Sequence, residues 1–128
     1  MILPTQLEEI LVVDDTPANL KLLSQILTDQ GYKVRVAVNG AQALASIDLA
    51  VPDLILLDVK MPGINGFDVC RQLKTNPKTK KVPVIFISAL DDLKDKLKGF
   101  SVGGVDYISK PFQIEEVKAR VESHLFIR

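Results

Sequence analysis

Acidic and hydroxyl side chains stand directly after three of the most hydrophobic runs of the chain. Asp14 and Asp15 follow the run Ile-Leu-Val-Val, and Asp58 follows Leu-Ile-Leu-Leu. Ser88 follows a third run, Val-Ile-Phe-Ile. Because the carboxyl ends of parallel strands meet at one edge of an α/β sheet, we expect these side chains to lie together. Their placement therefore predicts a ligand-binding or reaction site at that edge.

Three carboxylates at one edge would repel one another, which raises at least one pKa unless a cation binds between them. Oxygen ligands select a hard cation, and Mg²⁺ commonly takes one or two carboxylates together with water and phosphate oxygens. The cluster of Asp14, Asp15 and Asp58 therefore predicts a metal that recruits a phosphoryl group. The alternative is an acidic strand end in water, which is the more frequent role of any single aspartate.

Lys110 follows the fifth predicted strand and precedes Pro111, so it is expected at the same edge. Its ammonium group would neutralise one phosphoryl oxygen, and the hydroxyl of Ser88 would hydrogen-bond another. Taken singly, a loop lysine is usually a solvated charge and a strand-end serine usually a cap. Nucleophilic catalysis by Ser88 with His124 is the competing chemistry, but His124 lies in the last predicted helix and the chain lacks a G-x-S-x-G turn.

Composition limits the classes of protein to which the chain can belong. Its 128 residues fit a single domain, 1–128, and sixteen basic and sixteen acidic side chains balance. We therefore expect no nucleic-acid binding and no membrane binding by this domain. Cys70 is the single cysteine, which excludes an internal disulfide, and residues 1–6 do not resemble a signal peptide. These features predict a soluble domain in the cytoplasm.

Hydrophobic periodicity predicts five strands that alternate with five helices. The strands are predicted at 10–13, 33–37, 53–58, 83–88 and 105–108. The helices are predicted from Pro17 to Gly31, at 41–47, 66–75 and 91–100, and from 113 onward. Such alternation with short loops indicates a parallel sheet covered by helices on both faces. Because residues 123–128 continue the last helix without a stop signal, we expect the domain to have been excised from a longer protein.

Five finer predictions concern individual side chains and helix faces. Thr16 is expected to cap the first helix, and Tyr107 to be half-buried with its hydroxyl in water. The apolar face of the first helix is predicted to comprise Leu20, Leu22, Leu23, Ile26 and Leu27. One face of the charged fourth helix is predicted to comprise Leu93, Leu97 and Phe100. A core-facing stripe on the last helix is predicted to comprise Ile114, Val117 and Val121.

Several motifs in their order and spacing resemble those of response-regulator receiver domains, over residues 8–125. They are the acid pair after strand 1, Asp58 with Met-Pro-Gly at 61–63, Ser88-Ala89, and the run Asp-Tyr-Ile-Ser-Lys-Pro-Phe at 106–112. The resemblance implies a doubly wound, flavodoxin-like (βα)5 fold with strand order 2-1-3-4-5. It also implies two-component signalling, in which a sensor histidine kinase or a histidine phosphotransfer protein donates the phosphoryl group.

The resemblance implies a role for each site residue. Asp58 would be the phosphoacceptor, and Lys110 and Ser88 would bind phosphoryl oxygens. Mg²⁺, or Mn²⁺ in its place, would be bound by Asp15, by Asp58 and by the main-chain carbonyl of Lys60. Asp14 would hold the metal through water. The domain would catalyse only its own phosphorylation and dephosphorylation, and the peptide bond between Lys110 and its following proline would be cis.

The resemblance also implies a switch and points to two departures. Ser88 and Tyr107 would move on phosphorylation and change the face made by helix 4, strand 5 and helix 5, through which a homodimer or an output partner would bind. Lys60 and Leu90 lie beside the family's route for hydrolytic water, so they are expected to tune the lifetime of the acyl phosphate. The glycine-rich stretch 102–105 is expected to loosen the loop before strand 5.

Two other functions compete with a phosphorylated receiver. The first is a Mg²⁺-dependent aspartyl-phosphate phosphatase, which would need an Asp-x-Asp pair after strand 1 where this chain has Asp14-Asp15-Thr16. The second is a docking module that keeps the acids but works without phosphorylation.

Overall fold

The computed structural model describes residues 7–90 and 92–127, so predictions that fall on residues 1–6, Asp91 and Arg128 lie outside the described residues. The strands are β1 Glu9–Val13, β2 Lys33–Ala37, β3 Leu54–Leu57, β4 Val84–Ser88 and β5 Asp106–Ser109. The helices are α1 Pro17–Asp29, α2 Gly40–Leu49, α3 Gly66–Thr75, α4 Leu93–Ser101 and α5 Ile114–Ile127. The predicted alternation is confirmed, and no element end is displaced by more than two residues.

The five strands form one parallel sheet in the order β2-β1-β3-β4-β5, as expected. Alternate strand residues enter two separate hydrophobic clusters, because successive side chains of a strand point to opposite faces. One cluster contains Leu11, Leu57 and Phe86, and the other contains Val12 and Leu56. Helices therefore cover both faces of the sheet, which explains why β1, β3 and β4 are almost wholly apolar.

The register of the central strands fixes where their polar successors lie. Val13 pairs with Leu57, and Leu57 pairs with Phe86. The chain leaves β3 with the amide of Asp58 donating to the carbonyl of Val13 at 2.9 Å. The residue after β1, Asp14, therefore lies beside Asp58 at the carboxyl edge of the sheet.

Helix α1 begins at Pro17, but the predicted capping role of Thr16 is wrong in its detail. Thr16 occupies the N-cap position without a side-chain capping bond, and its amide instead donates to Oδ1 of Asp14 at 2.9 Å. Gly31 has φ +94°, so the left-handed end predicted for this helix is confirmed. Leu22 is exposed and does not join the buried face of α1.

The two predicted apolar stripes of α5 and α4 differ in their burial. Val117 and Val121 of α5 are fully buried, but Ile114, the first residue of the helix, is exposed, so the predicted core role of Ile114 is wrong. In α4 the predicted face of Leu93, Leu97 and Phe100 points to solvent. None of the helices within the described residues is both long enough and apolar enough to cross a membrane.

Candidate functional site

The three carboxylates predicted from the strand ends do meet. One oxygen each from Asp14, Asp15 and Asp58 lies within 4.8 Å of the others. Asp14 is fully buried and Asp58 is 3% exposed, whereas Asp15 is open to solvent. A set of carboxylate oxygens with one open side suits a hard cation that keeps water or phosphate oxygens among its ligands.

Lys110 lies between two of these acids. Its Nζ is 2.8 Å from Oδ2 of Asp14 and 3.3 Å from Oδ2 of Asp58. The amide of Lys110 donates to the carbonyl of Ser88 at 2.8 Å, which fastens the end of β5 to the end of β4. The bond from Lys110 to Pro111 is cis, as the resemblance implied. The predicted position of the lysine at the acidic edge is therefore confirmed.

Burial decides the ionisation of the site. It raises the pKa of Asp58, repulsion from Asp14 and Asp15 raises it further, and the charge of Lys110 opposes both. Burial disfavours the ammonium form of Lys110, but its hydrogen bonds and charge interactions with Asp14 and Asp58 outweigh this and raise its pKa. One ammonium group therefore does not compensate three carboxylates, and a bound cation would relieve the remaining repulsion.

Asp14 is the most firmly held of the acids. Besides Lys110, it accepts a hydrogen bond from the amide of Thr16 at 2.9 Å and one from the side-chain amide of Asn19 at 3.4 Å. A carboxylate that already has three donors is poorly suited to leave its place for a reaction. Among the described residues, the side chain of Asp58 is hydrogen-bonded to Lys110 alone, so it is held by fewer donors than Asp14. Asn19 was not among the predicted site residues, although its position in the first turn of α1 places it near the end of β1.

The loop after Asp58 needs glycine at a close approach. A Cβ on Gly66 would lie 2.2 Å from the main-chain oxygen of Asp58, which no other residue could accommodate without moving the backbone. The amide of Gly66 also donates to the carbonyl of Val59 at 2.8 Å. Gly63 has φ +81°, a left-handed conformation that favours glycine. The two glycines thus set the path by which the chain leaves Asp58.

Ser88 and Tyr107 both bind the same short segment after β4. The buried hydroxyl of Ser88 accepts from the amide of Leu90 at 3.1 Å, and the hydroxyl of Tyr107 donates to the carbonyl of Leu90 at 2.6 Å. The prediction that the Tyr107 hydroxyl lies in water is wrong, since the residue is 7% exposed. Ser88 therefore has the capping role that is usual for a serine at the end of a strand. Its role toward a phosphoryl group stays a prediction.

Lys60 and Leu90 line one cleft of about 440 Å³ next to Asp58. Two residues that the sequence analysis did not single out, Lys94 and Lys98, line it as well. Their spacing of four residues on one helix is the signal that could have placed them on a common face. The effect of Lys60 and Leu90 on phosphoryl lifetime stays a prediction.

His124 does not belong to this site. Its Nε2 is 3.0 Å from Oδ2 of Asp106, which begins β5, whereas Ser88 ends β4 and pairs with Ser109. Asp106 and Ser109 are three residues apart along β5, which corresponds to about 10 Å. The competing Ser88 and His124 chemistry is therefore excluded by position.

The five-stranded parallel sheet and the acid and lysine cluster at its carboxyl edge define a flavodoxin-like domain with a site suited to a hard cation and a phosphoryl group. The model of the response regulator receiver domain family matches residues 10–122. The chain therefore belongs to this family, the phosphoacceptor domains of two-component signalling.

Individual relatives agree with this assignment. The chain is 47% identical over 114 residues to the response regulator PleD of Caulobacter vibrioides, covering 89% of this chain and 25% of PleD. It is 42% identical over 116 residues to the DNA-binding regulator RpaA of Synechocystis, covering 91% of this chain and 48% of RpaA. The chain thus spans between a quarter and a half of the length of these relatives.

Solved structures match over nearly the whole chain. The beryllofluoride-activated DrrB receiver domain superposes with a TM-score of 0.86 at 34% identity, covering 94% of this chain and 98% of that one. The chemotaxis response regulator CheY4 of Vibrio cholerae superposes with a TM-score of 0.88 at 28% identity, covering 93% of this chain and 99% of that one.

Proposed function

We propose that Asp58 is the residue that accepts the phosphoryl group. The observation that supports this most directly is the contact of the Lys110 ammonium group with two buried carboxylates, one of which, Asp58, projects from the end of β3. The carboxylate would attack phosphorus in line, and Lys110 would offset charge on a transferring oxygen. Ser88, which ends the neighbouring strand, would donate its hydroxyl to another oxygen.

The metal ligands follow from the same cluster. Asp15 is exposed and Asp58 is next to it, so both can bind a Mg²⁺ or Mn²⁺ ion directly, with the main-chain carbonyl of Lys60 as a third ligand. Asp14, already held by Lys110, would bind the ion through water. When bound, the ion supplies positive charge that stabilises the transferring phosphoryl group.

The phosphodonor is proposed to be a phosphohistidine of a sensor kinase or a phosphotransfer protein. An open cavity of about 460 Å³ beside Lys110 supports this, since Leu22, Ala89, Pro111 and Phe112 line it with mostly apolar surface. Leu22 is exposed, so α1 offers this cavity an apolar side chain that the domain does not bury. A helix that presents a phosphohistidine could cover this cavity while it delivers the phosphoryl group to Asp58. The domain itself would catalyse only its own phosphorylation and dephosphorylation.

The output surface is proposed to be the face made by α4, β5 and α5. Leu93 is 70% exposed, Leu97 58% and Phe100 50%, so this face offers apolar side chains that the domain does not bury. Phosphorylation would draw Ser88 toward the phosphoryl group and release the segment that Tyr107 holds. A homodimer or a downstream partner would bind the altered face.

Incubation with acetyl phosphate and Mg²⁺ tests this function. We expect one base-labile acyl phosphate per chain, detected by intact-mass spectrometry, and none in Asp58→Asn. Asp48→Asn, an exposed carboxylate of α2, is the matched control and should be modified like the wild type. Turnover of general phosphomonoesters would instead support the phosphatase, and absence of any modification would support the docking module. Modification of Asp58→Asn to the wild-type level would overturn the assignment.

The lifetime of the phosphoryl group is proposed to depend on Lys60 and Leu90. Both side chains line the cleft through which water would approach Asp58. Replacing both and finding the dephosphorylation rate unchanged would refute this role.

A further inference from the structure

One stretch of the chain is strongly basic, although the charges of the whole chain balance. Residues 70–90 contain five basic side chains and no acidic one. Three of the five, Lys74, Lys80 and Lys81, line a single cavity of about 360 Å³ together with His124. Among the described residues, no acidic side chain belongs to this lining. The cavity therefore collects basic groups from α3, from α5 and from the loop before β4.

The cavity lies at the amino edge of the sheet, away from the acid cluster. Pro83, which also lines it, directly precedes β4, and Val105 directly precedes β5. Lys74 lies in the last turn of α3 and His124 in the last turn of α5. The five residues of β4 place about 13 Å between this edge and the edge that carries Ser88. The cavity is therefore separate from the proposed phosphorylation site.

Lys74 is a half-buried cation without an acidic partner. Its ammonium group donates to the carbonyl of Lys80 at 3.0 Å and to the carbonyl of Val82 at 2.6 Å, which uses two of its three N–H groups. Its stem runs past Gly103, where a Cβ would lie 2.6 Å from Cγ of the lysine. Burial lowers the pKa of Lys74, and no carboxylate in the described part of the chain forms an ion pair with it. An anion in the cavity would supply the missing charge and accept the third N–H.

The other basic groups of the cavity are not neutralised by acids either. Lys80 and Lys81 are exposed, and neither forms an ion pair with another described residue. Nε2 of His124 lies 3.0 Å from Oδ2 of Asp106. The two carboxylate oxygens of Asp106, however, already accept from Nη1 of Arg120 at 3.0 and 2.8 Å. Asp106 is thus compensated by Arg120 and leaves the lysine charges of the cavity in place.

We infer that this cavity binds a small ligand that carries a diphosphate group. Lysine binds phosphate as a point charge, and a diphosphate has enough oxygens to meet ammonium groups from two walls of the cavity. The volume lies at the small end of the range for small-molecule sites, which favours a compact anion over a peptide. Pro83 and Val105 add an apolar wall, which a nucleoside attached to the diphosphate would contact. The inference does not depend on the proposed role of Asp58.

The test is a titration with sodium pyrophosphate, followed by nuclear magnetic resonance. A chelator is present, so that no metal ion draws the anion to the acid cluster. His124 is the single histidine of the chain, and its ring resonances therefore report directly on the cavity. We expect saturable shifts of these resonances and of the amides of Lys81 and Gly103.

Two lysines of the same loop provide the matched comparison. Lys81→Gln should raise the Kd for pyrophosphate about fivefold, because it removes one unit charge beside a multiply charged anion. Lys78→Gln removes the same charge from an exposed position outside the lining, and should raise the Kd less than about twofold. Equal effects of the two substitutions, or shifts that do not saturate, would show general attraction of anions and overturn the site.

The chemical class of the ligand is tested with two further probes. ADP that binds at least as tightly as pyrophosphate would support the site with a nucleotide as the source of the diphosphate, and weaker binding of ADP would support it with free diphosphate as the source. Hexaglutamate carries more negative charge but no phosphate, and should leave the ring resonances of His124 unshifted. Hexaglutamate binding as tight as that of pyrophosphate would overturn the inference in favour of an acidic peptide.

Discussion

The hydroxyl of Tyr107 donates a 2.6 Å hydrogen bond to the main-chain carbonyl of Leu90, and so joins β5 to the segment that enters α4. Ser88 holds the amide of the same residue. Both side chains proposed to move on phosphorylation therefore hold Leu90 in this structure. A phosphoryl group that draws Ser88 toward itself would remove one of the two bonds and weaken the position of the segment.

Tyr107→Phe tests this arrangement. Loss of the hydroxyl should lower the free energy of unfolding by about 1 kcal/mol, because it leaves the carbonyl of Leu90 without its donor. Amide exchange of the segment leading into α4 should become faster. Urea denaturation and hydrogen exchange measure the two effects. Structures of the wild type with and without beryllofluoride provide the second check, and an unchanged Tyr107 rotamer would contradict the switch.

Asp58→Asn should stabilise the metal-free domain at neutral pH. Burial and repulsion by Asp14 raise the pKa of Asp58 above its value in the unfolded chain, so the folded state holds the proton more tightly. The stability that protonated Asp58 provides is complete below the unfolded pKa and is lost as pH rises through the folded pKa. The gain from the substitution should therefore vanish in acid. Urea denaturation across this range measures it, and a loss of stability at neutral pH would contradict the charge balance described here.

Mg²⁺ should stabilise the domain through the acid cluster. A ligand that binds only the folded state at about 100 times its Kd adds about 2.7 kcal/mol to the free energy of unfolding. Asp15→Asn should lose most of this gain, because Asp15 is the exposed acid of the cluster. Thermal unfolding with Mg²⁺ and with a chelator measures the difference. Asp48→Asn is the control, and an equal Mg²⁺ effect in Asp15→Asn would place the ion elsewhere.

Gly104→Ala should destabilise the domain by about 1–3 kcal/mol, the usual cost of overpacking a core. The added Cβ would lie 2.5 Å from the ring of Phe86 and 2.9 Å from the carbonyl oxygen of Gly99. Phe86→Leu shortens the facing side chain, so the cost of the alanine should be smaller in the double variant. A double-mutant cycle by urea denaturation measures the coupling. Additive effects of the two substitutions would contradict this packing.

This packing changes the interpretation of the glycine-rich stretch before β5. Its glycine content predicts a loosened loop. In the structure the amide of Gly104 donates to the carbonyl of Gly99 at 2.9 Å, and Gly103 has φ +109°. Gly104 is required by the volume of the Phe86 ring, which approaches from a distant strand. A local pattern contains no information about that approach.

The order of elements and the positions of the chemical groups could be predicted from local patterns. Apolar runs that end on Asp14, Asp58 and Ser88 define strands and their last residues at once, since the period of a strand is visible within a few residues. A parallel sheet then brings those ends to one edge. The chain order of acids, hydroxyl and lysine therefore suffices to predict that these groups share one edge of the sheet.

The contacts themselves required the tertiary structure. Lys110 and Asp14 are 96 residues apart, and only the folded sheet brings ammonium and carboxylate to 2.8 Å. A half-buried strand position predicts that the hydroxyl of Tyr107 lies in water. Only the folded structure brings this hydroxyl to its main-chain acceptor. Leu97 has the helical spacing of a core residue but points to solvent, because α4 packs on the sheet through Gly99. Periodicity shows which residues share a face, whereas the packing of distant elements decides which face is buried and which polar atoms meet.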